Sequence, residues 1–396
     1  MAKKTVADID VNGKRVFMRV DFNVPLDPQG NITDDRRIRL ALPSIKSVLE
    51  RNGKLILASH LGRPRGKPDK SFFLAPAAKR LGELLGTQVT LADDCVGPAV
   101  VQAVAQLKPG QCLLLENLRF HEGEAKNDPD FAGRLADLAD LYVNDAFGTA
   151  HREHASMYGV PEKLGPGRRV CGFLIQKELE YLGRALADPA HPFVAILGGA
   201  KVSDKIPVIE NLIKKVDAIL IGGAMSYTFL KAQGKQVGNS KLEPDMLAQS
   251  AKLISTAQQA GCELLLPTDH VVARELRAGV DNQVQGPGIE PDWLGLDIGP
   301  DTAAEYAHRV SAASTVVWNG PMGVFEVPPF DAGTRIVAQA IADTDCTSII
   351  GGGDSAAAVQ ALGLEDKMSH ISTGGGASLE FLAGKPFAAL EILDDK

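Results

Sequence analysis

Short apolar runs alternate with longer amphipathic segments along this chain, and this alternation limits the possible folds more than any other feature. Each run is nearly continuous in apolar residues, as expected of strands buried on both faces. The runs are Arg15–Val24, Lys54–His60, Cys112–Asn117, Leu141–Phe147, Phe193–Gly199, Ala218–Gly223, Glu263–Pro267, Thr315–Gly320 and Thr347–Gly353. Helical patterns such as Pro43–Arg51 and Asp204–Lys214 lie between them. The sequence therefore predicts an α/β fold with parallel sheets.

Nine strands exceed what one compact core usually holds, so we expect two Rossmann-like domains whose parallel central sheets face a cleft. Between the two groups of runs, Ile175–Leu186 has apolar residues on one helical face and breakers at both ends. This pattern predicts a hinge helix, although an ordinary crossover helix within one domain is the alternative. The predicted limits are residues 1–172 and 188–380 for the domains, 173–187 for the helix, and 381–396 for a segment returning to the first domain.

Charge is divided unequally between the two halves. The 42 basic and 49 acidic residues of the chain give a net charge of −7, which argues against a dedicated nucleic-acid-binding protein. Residues 1–170 hold 25 basic and 21 acidic residues (+4), and residues 171–396 hold 17 and 28 (−11). Of the 40 glycines, 15 precede the division and 25 follow it. Drift in surface composition is one explanation, and separate ligand sites are the other.

Several classes of protein are not expected. The segment MAKKTVADID lacks the apolar region of a signal peptide, and no stretch of about 18 apolar residues exists. The five cysteines are scattered and form no CxxC motif, so neither a disulfide framework nor a zinc site is predicted. We expect a reduced, cytoplasmic protein without a membrane or nucleic-acid partner.

In the first half, polar and cationic residues follow the apolar runs. Ligands of open parallel sheets bind outside the carboxyl ends of the strands, and arginine binds carboxylate and phosphate through two hydrogen bonds. A single arginine there is more often a surface ion-pair partner, but several together indicate an anion site. The residues are Asp21, Asn23, Arg37, His60, Arg63, Arg119, Asp145, His151, Arg152 and His154.

In the second half, the runs end in glycines, and several lead into helical patterns. Glycine allows the backbone to approach a ligand closely, and a helix N-terminus favours phosphate. These segments are Gly198–Lys205, Gly222–Ala224, Asn319–Glu326, Gly351–Ala358 and Ser372–Phe381. Lys201 and Lys205 can face one site from a first helical turn, and Asp354 is placed to hold Mg²⁺ on phosphates. The pattern favours a nucleotide site.

The presence or absence of known nucleotide-binding motifs limits which class of enzyme the chain can be expected to be. GxxxxGK[ST], HRD and DFG are absent, which argues against P-loop enzymes and protein kinases. GGGDSA matches the loose dinucleotide pattern, but no second strand ending in an acidic residue follows, so a dehydrogenase is disfavoured. Two hypotheses remain, namely phosphoryl transfer between a nucleotide and an anion, and a two-domain protein that closes on an anion without chemistry.

Eight ordered motifs then give the chain a strong resemblance to phosphoglycerate kinases of the bacterial type, from about Val20 to Gly384. They are VDFNVP, SHLGRP, ENLRF, NDAFGTAHR, GGAKVSDKI, WNGPMGVFE, GGGDS and STGGGASLEFL. The resemblance implies reversible, Mg²⁺-dependent transfer from 1,3-bisphosphoglycerate to ADP, giving 3-phosphoglycerate and ATP, in-line and after hinge-bending closure. It also implies a glycolytic or gluconeogenic role and a monomer.

The resemblance assigns roles to individual residues. Triose binding falls to Asp21, Asn23, Arg37, His60, Arg63, Arg119, His151 and Arg152. Nucleotide binding falls to Lys201, Lys205, Gly295, Glu326, Gly352, Gly353, Asp354 and Ser355. Asp354 is the implied Mg²⁺-linked carboxylate, and Arg37, Lys205 and Gly375 are implied to act on the transferring group. In the reverse direction the implied acceptor is the carboxylate of 3-phosphoglycerate, which is already ionised at pH 7, so no general base is expected.

Overall fold

The computed structural model describes residues 2–396, which form two compact units. The first unit runs up to Glu180 and is completed by Pro386–Lys396, and the second comprises Tyr181–Lys385. Each unit is built on a six-stranded parallel sheet with helices packed against it. The predicted α/β class with two Rossmann-like sheets is confirmed.

The sheet of the first unit has the spatial order β3-β4-β2-β1-β5-β6, and all its pairings are parallel. Its strands are β1 (Arg15–Val20), β2 (Lys54–Ala58), β3 (Thr90–Leu91), β4 (Cys112–Leu114), β5 (Leu141–Asp145) and β6 (Arg169–Cys171). Its helices are α1 (Arg36–Glu50), α2 (Ala75–Leu85), α3 (Pro98–Gln106), α4 (Glu122–Ala125), α5 (Pro129–Ala136), α6 (Val160–Leu164) and α7 (Phe173–Glu178), with α16 (Ala388–Glu391) from the C-terminal segment. The loops after four adjacent strands, β4, β2, β1 and β5, therefore leave the sheet at one edge.

The sheet of the second unit has the order β15-β14-β13-β7-β8-β9 and is also parallel. Its strands are β7 (Phe193–Leu197), β8 (Ala218–Ile221), β9 (Glu263–Leu265), β13 (Thr315–Asn319), β14 (Thr347–Gly351) and β15 (His370–Ile371). Its helices are α8 (Arg184–Ala187), α9 (Ile206–Leu212), α10 (Met225–Ala232), α11 (Leu247–Ala260), α12 (Pro300–Ser311), α13 (Ala332–Ala342), α14 (Gly353–Ala361) and α15 (Gly376–Leu382).

A small antiparallel sheet in the second unit was not expected from the sequence. It consists of β10 (His270–Ala273), β11 (Asn282–Gln285) and β12 (Leu294–Ile298), in the order β11-β10-β12. Most of the β11 residues are exposed, so this strand lacks the continuous apolar run of a strand buried on both faces. The short edge strands β3 and β15 were not predicted either, because two residues are too few to form a recognisable apolar run.

Two helix starts differ from the predictions. Helix α1 begins at Arg36 rather than Pro43, which lies inside it. An interior proline costs one helical hydrogen bond, and α1 tolerates this because Ile38, Ala41 and Ile45 are buried in the core. Helix α9 begins at Ile206, so neither lysine lies in its first turn: Lys201 lies in the turns before the helix, and Lys205 is the N-cap residue.

The predicted linker helix is helical but not uniform. A π-helical turn, Leu179–Gly183, separates α7 from α8. The boundary between the two units falls inside this turn. Among residues 2–396, no helix is both long and apolar enough to cross a bilayer.

Candidate active site

The first cluster of predicted residues lies at the carboxyl edge of the β1–β6 sheet. Asp21 follows β1 and accepts a hydrogen bond from Arg37 Nη1 to its Oδ2 at 2.5 Å. Asn23 Oδ1 accepts from the backbone N–H of Gly62, at 2.9 Å, and the Gly62 carbonyl accepts from Arg119 Nη1, at 2.8 Å. Loops from three strands and the first turn of α1 are thus joined by charged and polar side chains.

Further guanidinium groups lie in the same cluster. Arg152 Nε donates to His151 Nε2 at 3.0 Å. Partial burial, together with the positive charges of Arg19 and Arg152, lowers the pKa of Arg119 to about 10, against weaker opposite effects of Glu124 and Asp21. Arg63 is exposed beside Gly62. Such an accumulation of cations leaves positive potential that a polyanion would neutralise.

His60 is held as a neutral imidazole of one tautomer. It is buried, and Arg19 Nη2 lies 3.0 Å from its Nδ1. Burial first, and then the charges of Arg19, Arg119 and Arg37, hold the pKa of His60 well below its usual range. A guanidinium can only donate, so Nδ1 accepts and Nε2 carries the proton. His60 can therefore donate one hydrogen bond to a ligand oxygen.

A buried polar network supports this cluster, and of its members only His154 was named from the sequence. Arg19, near the end of β1, is fully buried and donates to Ser156 Oγ at 2.9 Å. Glu124 is also fully buried and accepts from the Ser156 N–H at 3.0 Å and from its hydroxyl at 2.7 Å. His154 Nδ1 lies 3.7 Å from Glu124. An arginine inside an apolar run gives no local sequence signal that identifies its buried partners.

Asp145 has a different role from its neighbours at the strand ends. Its side chain is buried and accepts from the backbone N–H groups of Leu174, at 2.9 Å, and Ile175, at 3.3 Å. Burial raises the pKa of Asp145 to about 7, although these hydrogen bonds and Ser44 act in the opposite direction. It therefore ties the start of α7 to β5.

A second cluster forms a glycine-lined pocket of about 400 Å³ at the carboxyl edge of the other sheet. The loops after four adjacent strands, β15, β14, β13 and β7, contribute to it. The predicted residues that line it are Lys201, Lys205, Gly352, Gly353, Asp354, Ser355 and Gly375, together with Asp204, Asn319 and Gly320.

Glycine is required at several of these turns. Gly352 precedes α14 with φ +88°, and Gly375 precedes α15 with φ +49°, conformations that other residues rarely adopt. A Cβ on Gly198 would meet the Pro321 carbonyl at 2.1 Å. The buried Ser355 hydroxyl accepts from the Gly320 N–H at 2.6 Å, which joins the turns after β13 and β14. The backbone can thus line a phosphate pocket closely.

Lys205 is the buried cation of the pocket. Its ammonium donates to Asn319 Oδ1. Burial lowers the pKa of Lys205 to about 8, against the opposite effects of Asp204 and Asp354. Lys201 and Asp354 are exposed at the same pocket. A buried ammonium beside free N-terminal amides suits a phosphate group, and a nearby carboxylate suits its counter-cation.

Gly295 and Glu326 do not line this pocket. Gly295 lies in β12, and a Cβ there would meet the Tyr227 hydroxyl at 2.1 Å. Glu326 is exposed in the loop after β13. Their nucleotide-binding roles stay predictions.

A glycine-lined pocket with a buried lysine on one parallel sheet, together with an arginine cluster on another, fits one class of protein, the nucleotide-dependent phosphotransferases of small anionic substrates. The phosphoglycerate kinase family model matches residues 6–385. The phosphoglycerate kinase of Chlorobium limicola is 55% identical over 399 residues, and that of Rhodopirellula baltica is 57% identical over 399, with each alignment covering 100% of both chains.

Solved structures agree with these relatives. The phosphoglycerate kinase of Coxiella burnetii matches with a TM-score of 0.89 and 42% identity, covering 98% of each chain. That of Pyrococcus horikoshii matches with a TM-score of 0.84 and 32% identity, again over 98% of each. The chain belongs to the phosphoglycerate kinase family. It is an ATP-dependent phosphotransferase of glycolysis with a carboxyl group as acceptor.

Proposed function

We propose that the chain transfers a phosphoryl group from 1,3-bisphosphoglycerate to Mg-ADP, giving 3-phosphoglycerate and ATP, and catalyses the reverse reaction. The observation that carries this proposal is the pairing of an arginine cluster on one sheet with a glycine-lined phosphate pocket on the other. Two anion sites of different construction suit two different phosphorylated substrates.

The arginine cluster is the proposed triose site. Arg37, Arg119 and Arg152 offer forks of N–H donors for the carboxylate and phosphate oxygens. Arg63 adds an exposed cation at the same edge, and His151 is proposed to bind beside Arg152. The oxygens of Asp21 and Asn23 already accept protein hydrogen bonds and still have lone pairs for a substrate hydroxyl. His60 would donate from Nε2.

The glycine-lined pocket is the proposed nucleotide site. Lys201, Lys205 and the amides of Gly352–Ser355 would bind the phosphates, and Gly295 and Glu326 would contact the rest of the nucleotide. Asp354 would hold Mg²⁺. One exposed carboxylate in a phosphate pocket fits this ion, which keeps several waters and takes the remaining ligands from phosphate. When bound, Mg²⁺ neutralises charge on the phosphates.

Transfer breaks the acyl phosphate P–O bond and forms a P–O bond to the terminal ADP oxygen. The leaving group is a carboxylate, so no proton has to move. Arg37, Lys205 and the Gly375 amide would stabilise the equatorial oxygens of the transferring group, and the two substrates would be aligned in-line.

The proposed triose and nucleotide sites belong to different units, so transfer requires the bound substrates to meet. We propose hinge-bending closure with residues 173–187 as a hinge. The π-helical turn Leu179–Gly183 supports this choice, because such turns often mark functional bends in helices. The proposed domains are residues 1–172 for triose and 188–380 for nucleotide, and residues 381–396 return to the first. A cytoplasmic monomer without nucleic-acid or membrane partners completes the proposal.

A coupled assay tests the proposed reaction by measuring ADP formed from ATP and 3-phosphoglycerate. We expect turnover that requires both substrates and stops when Mg²⁺ is omitted. Binding of both ligands without ADP formation would favour the alternative, a protein that closes on an anion without chemistry. Turnover that persists without Mg²⁺ would exclude the role of Asp354.

A further inference from the structure

Three metal-ligating side chains of different chemistry meet in the first unit, outside both proposed substrate sites. They are Asp94 and Cys95, in the loop between β3 and α3, and His121, just before α4. One ligand atom of each lies within 4.8 Å of the others. Because Cys95 and His121 are 26 positions apart, no spacing motif in the sequence indicated this cluster.

The positions of the three groups are well determined by their neighbours. His121 Nε2 lies 2.5 Å from Asp94 Oδ1, and the imidazole stacks on Phe131 with ring centroids 4.9 Å apart. The Cys95 thiol donates to the Glu116 carbonyl at 2.9 Å, and the Cys95 N–H donates to Asp94 Oδ1 at 2.6 Å. The ligands are thus brought together before any ion binds.

The surroundings of the thiol are negative. Cys95 is buried, and the charges of Asp94, Glu124 and Glu116 act on its thiol. A cation bound at the cluster would offset that negative charge and allow the thiolate to form, as metal coordination does generally. Asp94 and His121 keep 51% and 29% of their side-chain surface exposed, so an ion can enter from solvent on that side.

We propose that Asp94, Cys95 and His121 bind a zinc ion. Thiolate, imidazole and carboxylate are the three ligand types that zinc uses in proteins, and a thiolate disfavours Mg²⁺ and Ca²⁺. Three protein ligands leave a fourth tetrahedral position for water. To coordinate, the Asp94 oxygen and the His121 nitrogen give up their mutual contact, and Cys95 releases its proton.

The site would connect two segments that matter for triose binding. Glu116, which accepts the Cys95 hydrogen bond, precedes Asn117, whose side chain accepts from the Arg119 N–H at 3.0 Å. An ion held by Cys95 and His121 would tie the loop before α3 to the segment carrying Arg119 through His121, and this link would replace the Cys95–Glu116 hydrogen bond that is lost with the thiol proton. We therefore expect zinc to stabilise this unit against unfolding.

Cobalt(II) is a suitable probe because coordination by a thiolate gives a charge-transfer absorption band. The tag-free, full-length protein is stripped with a chelator and titrated with Co²⁺, followed by competition with Zn²⁺. We expect one equivalent per chain with the thiolate band, and a rise in the thermal midpoint. Cys95→Ser should abolish the band, and His121→Gln should weaken binding at least about tenfold. Cys112→Ser, which removes another buried thiol, should leave both unchanged.

Binding without a thiolate band, or an unchanged affinity in Cys95→Ser and His121→Gln, would overturn the proposal, as would no binding at micromolar Co²⁺. If Cys95→Ser does not fold, His121→Gln and Asp94→Asn decide in its place, because both residues are partly exposed. Affinity that is unchanged in both variants would then refute the site. Anomalous diffraction at the zinc edge from zinc-soaked crystals is a second measurement, and we expect a peak between the three side chains.

Discussion

At the scale of the residue, Lys205 combines the properties expected of a group that acts on phosphate. It is buried in a pocket of glycine-rich turns, and its ammonium donates to Asn319. Such a cation is held in place before substrate arrives, so it needs no reorganisation when charge develops on the transferring group.

Replacing Lys205 by alanine should lower kcat by about 10²–10³-fold, the loss typical of one preorganised donor to developing charge. The variant should still fold, because the substitution removes one hydrogen bond, from Lys205 to Asn319. Steady-state kinetics with both substrates saturating would measure the effect. Lys214→Ala, at an exposed lysine outside the pocket, is the matched control and should leave kcat unchanged. Equal kcat values for both variants would contradict a transition-state role.

The pH dependence of kcat/KM should reflect the ionisation of Lys205. With a pKa lowered to about 8, Lys205 is protonated below that pH and loses its charge above it. We therefore expect kcat/KM for the nucleotide to fall as pH rises through about 8, because this ratio reports ionisation in the free enzyme. Lys205→Arg retains a charge at all these pH values, so its remaining activity should lack that fall. A fall that is identical in both proteins would assign it to another group.

Substitution of Arg63 tests whether the triose and the nucleotide bind at separate sites. Arg63→Ala should raise the KM for 3-phosphoglycerate about tenfold or more, because it removes a charge-assisted contact to an anion. The affinity for ATP, measured by calorimetry, should not change. Arg65→Ala removes another exposed arginine of the same loop and serves as the control. A matching loss of ATP binding in Arg63→Ala would refute the two-site division.

At the scale of the element, the arginine cluster depends on short segments that have little helical stability of their own. The four-residue helix α4 is joined to the π-helical turn Ala155–Gly159 through Glu124 and Ser156. Burial raises the pKa of Glu124, but nearby His154 and Arg19, together with the Ser156 hydroxyl, outweigh it and hold the pKa below its usual value. The charged carboxylate thus stabilises the fold above its unfolded pKa, and this contribution is lost as the pH falls through the folded value.

Glu124→Gln should therefore lower the free energy of unfolding by about 1.5–3 kcal/mol, the range for hydrogen bonds to a charged group. Urea unfolding at pH 7 measures the difference. Glu122→Gln is the control in the same helix, because Glu122 is exposed and pairs with Lys126 at the surface; little change is expected there. A similar small effect for both variants would show that the buried network does not depend on its charge.

Elements with a local sequence pattern could be predicted, whereas elements that depend on tertiary packing could not. The strands around the proposed sites, except the two-residue β15, were recognisable because strands buried on both faces leave continuous apolar runs. The start of α1 was missed because Pro43 is a strong local breaker, whereas the burial of Ile38 and Ile45 decides the helix. Sheet β11-β10-β12 was missed because its outer strand β11 is largely exposed.

At the scale of the whole molecule, the proposed reaction requires that two ligands held by separate units become aligned. Small-angle X-ray scattering should show a smaller radius of gyration with 3-phosphoglycerate and an unreactive ATP analogue together than with either ligand alone. A helix-stiffening variant in the proposed hinge, Gly183→Ala, should reduce this compaction; a Cβ there has open space. No compaction in the ternary complex would contradict hinge-bending closure.

The order of apolar runs, glycine-rich ends and cationic ends along the chain was sufficient to determine the α/β class and to nominate Arg37, Arg119, Lys205 and Asp354, because each of these signals is local. The buried partners Arg19 and Glu124, the tautomer of His60, and the meeting of Cys95 with His121 required the tertiary structure. Each depends on groups distant in sequence that packing brings within hydrogen-bond or coordination distance, and a buried charge has no period or motif by which its partner can be found in advance.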